Sequence, residues 1–425
     1  MPTSTRPVIS IISAFVLFKG FILLIASAAA LGPDYDTSTS LFFARSTSGT
    51  LPSAASLAHR LTRWDGIYFM AAAYPDGLLY EQQWAFGPAG LPALVSILAR
   101  LCGRTGHGST TPLAAELEPF LAIVVSHVSH LVTVLALYHL TLRLSRDVRV
   151  ALVASLLHIV SPAGLFLSAP YAESPFACLT MLAHLLAVNS FEATLKADLS
   201  LIGAGVLYGI STLFRSNGLI SGLLFAVVAV SASLSFVAQG RAIDVRRLIA
   251  AIIGGVCVAA GSIVPQYYAW QTYCSSGSPR PWCSRLVPSI YTFVQEAYWN
   301  VGFLRYWTLD QLPLFLLATP MLYVLIRSGI ETIRMPTVGV VLKQPRLETF
   351  VRVLAVSQTA LAILAITNYH VQIISRISSA YPVWYWWVAN CIVRERRALG
   401  KGIATFMVMY AGIQGGLFAS FLPPA

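Results

Sequence analysis

Residues 120–142 read FLAIVVSHVSHLVTVLALYHLTL, a run without a single Asp, Glu, Lys or Arg. As a helix it is long enough to cross a hydrocarbon core of about 30 Å. Comparable runs occupy 8–31, 150–168, 175–191, 200–214, 219–238, 248–270, 313–327, 352–367, 377–393 and 402–422. The spacing therefore predicts an all-α polytopic membrane protein with about eleven spans. The whole chain agrees: 425 residues, 56% hydrophobic, 11% charged, mean hydropathy +0.71. No stretch is left for a soluble domain, and a single integral membrane domain over 1–425 is expected.

The formal net charge of +11 does not point to nucleic acid, because the basic residues form no stripe. They mark topology. With the N-terminus in the cytosol, Arg241, Arg246, Arg247, Arg394, Arg396, Arg397 and Lys401 fall in short cytosolic loops, as the positive-inside rule requires. The long segments 32–119 and 271–312 then lie on the lumenal side, with short ones near 168–174 and 368–381. Asp34, Asp36, Asp65, Asp76, Glu81, Glu116, Glu118, Glu173, Glu296 and Asp310 all fall there. Charge beside a membrane is costly, so the acid-rich face is the expected site of chemistry. Ala28-Ala29-Ala30 also resembles a signal-peptidase site, but the apolar run before it is long for a signal peptide and only Arg6 precedes it. Lys19, inside that run, fits neither reading.

Two functional readings compete at each polar motif. Asp65, after Arg60, Arg63 and Trp64, is placed either as a general base held ionised by guanidinium groups or as the N-cap of a helix. Tyr80-Glu81-Gln82, followed by Ala85-Phe86-Gly87-Pro88, offers a carboxylate and amides to sugar hydroxyls, or is a turn. The segment from Ser161-Pro162-Ala163 through Ala169-Pro170-Tyr171 to Glu173 reads as a broken helix lining a cavity or as a kinked hairpin. Arg215-Ser216-Asn217-Gly218 fits a phosphate grip or a snorkelling arginine. His370-Val371-Gln372 with Arg376 adds a second cationic group on the same face. The aromatic stretch from Tyr291 to Tyr306 serves as interface anchors or as sugar-stacking rings. Cys274 and Cys283 share one lumenal segment and either pair or stay free. Motifs for zinc, a P-loop, a dinucleotide fold or a serine elbow are absent from the sequence.

Trp64-Asp65, Tyr80-Glu81-Gln82, Ser161-Pro162-Ala163, Tyr171, Glu173-Ser174, Arg215-Ser216-Asn217-Gly218, Pro281-Trp282-Cys283, Tyr298-Trp299, Gly302-Phe303-Leu304 and His370-Val371-Gln372 with Arg376 occur in order. In combination the chain resembles the GPI mannosyltransferase 2 family. The resemblance implies a GT-C glycosyltransferase of the endoplasmic reticulum membrane, its active site facing the lumen. It would transfer the second mannose of the glycosylphosphatidylinositol anchor, in α-1,6 linkage, from dolichyl-phosphate mannose to the mannosylated precursor lipid. Asp65 matches the base of such enzymes, carried on the first lumenal loop. Arg215 and Arg376 would hold the donor phosphate, with His370 as a further donor. Trp64, Glu81, Gln82, Tyr171, Glu173, Asn217 and Gln372 would complete the substrate site. No cofactor or metal is implied, and fungal members imply a small accessory membrane subunit as partner. At Gly87 the family pattern leads one to expect a bulky residue. Without the resemblance, a lipid transporter or flippase, another transferase of the same fold, or a structural subunit would fit the same polar residues.

Overall fold

The computed structural model describes residues 5–32, 34–46, 56–74, 77, 80–103, 116–191, 194–275, 280–336, 347–394 and 396–423. A helix overlaps each expected span, but 150–168 is α-helical only to Ile159 and 377–393 mainly from Pro382; a backbone in lipid must satisfy its own hydrogen bonds. In chain order these are α1 (Thr5–Ala28), α2 (Leu117–Ser145), α3 (Val148–Ile159), α4 (Glu173–Asn189), α5 (Leu195–Phe214) and α6 (Gly222–Gln239). They are followed by α7 (Ala242–Cys274), α8 (Leu312–Arg334), α9 (Glu348–Thr367), α10 (Pro382–Val393) and α11 (Arg397–Ala419). Eight of these segments are long and apolar enough to cross a membrane; α3, α4 and α10 are not among them. At 1.5 Å per residue, α3 and α10 reach only about 18 Å. No strand occurs among the described residues.

The short helices are compensated by irregular chain. Beyond α3 the backbone from 160 to 172 is not α-helical, and its polar groups are met by side chains from four helices. Lys19 of α1 donates to the Leu167 carbonyl at 2.8 Å and to Ser168 Oγ at 2.7 Å. Ser126 of α2 donates to the Ala169 carbonyl, Ser174 of α4 to the Leu167 carbonyl, and Gln414 of α11 accepts from the Leu165 amide. Buried irregular backbone of this kind is tolerated at membrane depth only when protein satisfies it. Lys19 is thus a structural donor, which accounts for an otherwise anomalous charge.

Helix α10, the shorter counterpart of the expected span 377–393, is buried among the other helices. Trp384, Tyr385, Trp386 and Trp387 are at most 1% exposed, and all four find polar partners: Ser378, Ser161, Thr141 and Glu331. It is a central helix, apolar all round because protein surrounds it. On the other flank, α5 and α7 meet through glycines. A Cβ on Gly205 would lie 2.4 Å from Gly254 Cα, and one on Gly261 would lie 2.1 Å from the Gly209 carbonyl oxygen. Small residues let the two backbones touch, the membrane substitute for a hydrophobic driving force.

Ion pairs separate the two faces. Arg394 reaches Asp147, Arg396 reaches Glu331, and Arg246 and Arg247 converge on Asp198, joining the loops assigned to one side. Asp65 pairs with Arg376 and Glu81 with Arg280, joining the loops assigned to the other.

Candidate active site

The helix carrying the first motif begins at Asp65 and runs to Ala73. Its capping position falls to Trp64, which makes no side-chain cap, so the capping alternative for Asp65 is not realised. Trp64 adopts φ 52° and ψ −127°, a conformation that L residues hold only when surroundings enforce it. The enforcement is visible. Tyr171, fully buried, donates to the Arg63 carbonyl at 3.0 Å, and the Phe421 ring lies 5.0 Å from the Trp64 ring. The turn places a carboxylate at the positive end of a helix dipole.

That carboxylate meets Arg376, which sits in the short helix Ile374–Ile377 before α10. Both terminal nitrogens of Arg376 donate to Asp65 Oδ2, at 3.1 and 3.0 Å. Arg376 Nε also lies 3.5 Å from Glu173 Oε1, and Arg215 Nη1 donates to the same Glu173 oxygen at 2.6 Å. Glu173 is fully buried, and two guanidinium groups flank it. Asp65, Arg376, Glu173 and Arg215 thus form a chain of alternating charge with no net charge. Asp65 is the most accessible of the four, its side chain 36% exposed.

A cavity of about 410 Å³ opens beside this chain. Asp65, Gln82, Arg215, Asn217, His370 and Arg376 line it, which brings six of the expected site residues together from four separate segments. Tyr68 and Phe86 add a stacked pair of rings, 5.0 Å apart and 16° from parallel. His370 Nε2 donates to the Trp299 carbonyl at 3.0 Å and its ring stacks on Tyr306. Burial above all, then Arg376, pushes the His370 pKa below its ordinary value, against the Trp299 carbonyl and Asp65. A neutral ring with its proton on Nε2 follows. Asn217 donates to Tyr381, and Ser216 to Tyr291.

Five expected residues do not line the cavity. Trp64, Tyr171 and Glu173 stand behind Asp65 and Arg376, and Gln372 lies beside His370 without lining it. Glu81 is withdrawn from the cavity and bonded to Arg280, Trp282 and Tyr298. Burial opposes its ionised form, and those bonds outweigh burial, holding the carboxyl below its ordinary range. The segment 160–172 is broken, as one reading held, but packs beneath the site and does not line it. Asp76 lies outside the described residues, as do positions 47–55 of the sequence rich in Ser and Thr from Thr37 to Ser56. Gly87 admits no larger residue: at φ +62° a Cβ would sit 2.7 Å from the Leu213 carbonyl oxygen. Here the chain needs glycine for a tight approach of loop to helix.

Sequence reasoning missed Gln266 and Ser262, which line the cavity from α7. Both were absorbed into an apolar run; the signal was Pro265-Gln266 within it, an amide where a span should be featureless. Gln266 Oε1 accepts from Ser289 Oγ and the Tyr291 amide, which leaves its NH₂ as a donor pair. Cys274 and Cys283 are joined, with Cα atoms 5.5 Å apart. Among the described residues no three His, Cys, Asp or Glu side chains gather as a metal-ligand set.

A base-like carboxylate, two arginines and amide and aromatic walls suit transfer to a sugar hydroxyl, and comparison with known proteins gives the same direction. The chain is 53% identical over 430 residues to GPI mannosyltransferase 2 of Gibberella zeae, covering 99% of this chain and 98% of that protein. It is 45% identical to the protein of the same name from Chaetomium globosum, over 99% and 97% of the two chains. Among solved structures it is similar to the apo oligosaccharyltransferase of Archaeoglobus fulgidus, with 15% identity, a TM-score of 0.46 and coverage of 94% of this chain and 56% of that one. That likeness is too loose for residue correspondences. The family model described as mannosyltransferase (PIG-V) matches residues 8–425, and with relatives this similar over their whole length the chain belongs to that family of membrane mannosyltransferases.

Proposed function

We propose that the cavity transfers the second mannose of the glycosylphosphatidylinositol anchor, in α-1,6 linkage, from dolichyl-phosphate mannose to the mannosylated precursor lipid. The observation that carries this reading is the Asp65–Arg376 pair: one carboxylate oxygen takes both arginine bonds, and the group still reaches the cavity. The acceptor 6-hydroxyl oxygen attacks the anomeric carbon and the bond from that carbon to the phosphate oxygen breaks. The hydroxyl proton passes to Asp65, and the lipid phosphate leaves as a monoester. Attack from the face opposite the leaving group inverts a β-linked donor into an α-linked product.

Arg376 and Arg215 face the phosphate, whose negative charge grows as the sugar departs. As Asp65 takes up a proton its hold on Arg376 weakens, so the guanidinium becomes available at the moment the phosphate needs it. His370 donates no second proton from Nε2, which is engaged, and offers Nδ1 as an acceptor. Gln82 and Asn217 contact sugar hydroxyls, while Trp64, Tyr171, Glu173 and Gln372 hold the groups that touch substrate. The site faces the lumen of the endoplasmic reticulum. The basic loops on the opposite face and the Cys274–Cys283 disulfide, which needs an oxidising compartment, support that side.

Complementation tests the proposal: a cell lacking the second mannosyltransferase is given this chain and its GPI intermediates are weighed by mass spectrometry. Conversion of one-mannose to two-mannose intermediates is expected. Accumulation of the one-mannose form despite full expression rejects the assignment.

A further inference from the structure

Glu81 is the most heavily bonded carboxylate near the cavity, and it touches nothing inside it. Oε1 accepts from Arg280 Nε at 2.8 Å and Trp282 Nε1 at 3.0 Å; Oε2 accepts from Arg280 Nη2 at 2.7 Å and Tyr298 OH at 3.1 Å. Those four donors fill the lone-pair sites a carboxylate has, which leaves no capacity for a substrate hydroxyl. The partners come from the other long segment of this face, about 200 residues away in sequence.

Each participant is joined to a different wall. Glu81 opens the short helix Glu81–Trp84, and Gln82, Trp84 and Phe86 directly after it line the cavity. Tyr298 precedes the lining residue Trp299, whose ring lies 5.1 Å from that of Phe86. Arg280 and Trp282 lie inside the small loop closed by Cys274–Cys283, which anchors them to the end of α7, and α7 supplies Gln266. Beneath the carboxylate, Ala269, Trp282, Ile290 and Val294 form a core of their own, apart from the main one. Such a satellite core has little apolar area, so a central ion pair and a covalent link decide whether it holds its shape.

We propose that Glu81 is a positioning residue: through Arg280, Trp282 and Tyr298, with the disulfide behind them, it fixes three walls of the cavity relative to one another. It thereby governs binding of the lipid-linked substrates and not the chemical step. The inference rests on the cavity being the transfer site.

The experiment uses the full chain in microsomes from cells lacking the endogenous enzyme, supplied with dolichyl-phosphate mannose and one-mannose acceptor, with rates normalised to protein level. Glu81→Gln is expected to raise KM about tenfold while kcat changes by less than about threefold. Arg280→Ala is expected to act in the same way, and the double variant to be no worse than either single one, because the two residues act as a unit. Glu81→Asp restores part of the loss. Cys274→Ser moves KM in the same direction. Tyr298→Phe, which removes one bond from a half-exposed ring, is expected to raise KM two- to threefold, or about that, and carries the test where Glu81→Gln lowers protein level. A fall in kcat at unchanged KM, or losses that multiply in the double variant, overturns the proposal alone. Retention of activity in Asp65→Asn overturns the reading of the site and this proposal with it.

Discussion

Arg376 places both of its terminal nitrogens on a single oxygen of Asp65, at 3.1 and 3.0 Å, although the two residues are 311 positions apart in sequence. The arrangement fixes the orientation of the carboxylate and commits only one of its two oxygens to the salt bridge. In the proposed reaction it separates the group that would accept a proton from the group that would answer the charge left on the phosphate.

Asp65→Asn keeps the shape of the side chain and removes its ability to take a proton. Transfer is expected to fall by about 10²- to 10⁴-fold, the usual contribution of a general base, with protein level preserved. Mass analysis of GPI intermediates in the complemented cell reads this directly, and near-normal conversion would remove Asp65 from the base role.

Glu173 has no exposed surface and serves two arginines. Glu173→Ala leaves Arg215 and Arg376 facing each other without the carboxylate between them, at an expected cost of about 3–5 kcal/mol. Thermal unfolding of the purified protein in detergent should show a large fall in Tm. Glu173→Gln, which keeps the volume and one acceptor oxygen, should lose less.

Lys19 donates to the Leu167 carbonyl and Ser168 Oγ deep inside the bundle. In Lys19→Met the Leu167 carbonyl keeps its bond from Ser174, so the expected loss is about 1–3 kcal/mol. A stability equal to or above the parent would show that the amine is not needed to satisfy the broken segment.

Stability should also depend on pH through His59. Burial first, and Arg63 next, push its pKa down to about 4, with Arg60 acting alongside and Asp34 opposing. In the unfolded chain the ring titrates near its ordinary value of about 6.5. The stabilisation is therefore complete above pH 6.5, is lost as the pH falls toward 4, and changes no further below that. The loss from this group alone is on the order of 3 kcal/mol. Tm should fall as the pH is lowered through that window, and the fall should be shallower in His59→Gln.

The sequence by itself determined the membrane class, the approximate place of each helix and the division of acidic and basic loops between two faces. Those properties are local: an apolar run of sufficient length must be helical in lipid, and loop charge is counted along the chain. It also marked Asp65, Arg215 and Arg376 as candidates, each beside a structural alternative, and only the family resemblance favoured their use in catalysis. It did not reveal which of them meet. Only the tertiary structure paired Asp65 with Arg376, withdrew Glu81 into a bonded hub, replaced an expected cap with a strained Trp64, and drew Gln266 out of an apparent span into the cavity wall. Periodicity and composition report what surrounds a residue within a few turns. Contacts across hundreds of positions follow from how helices pack, as where Gly205 meets Gly254 and two backbones can touch.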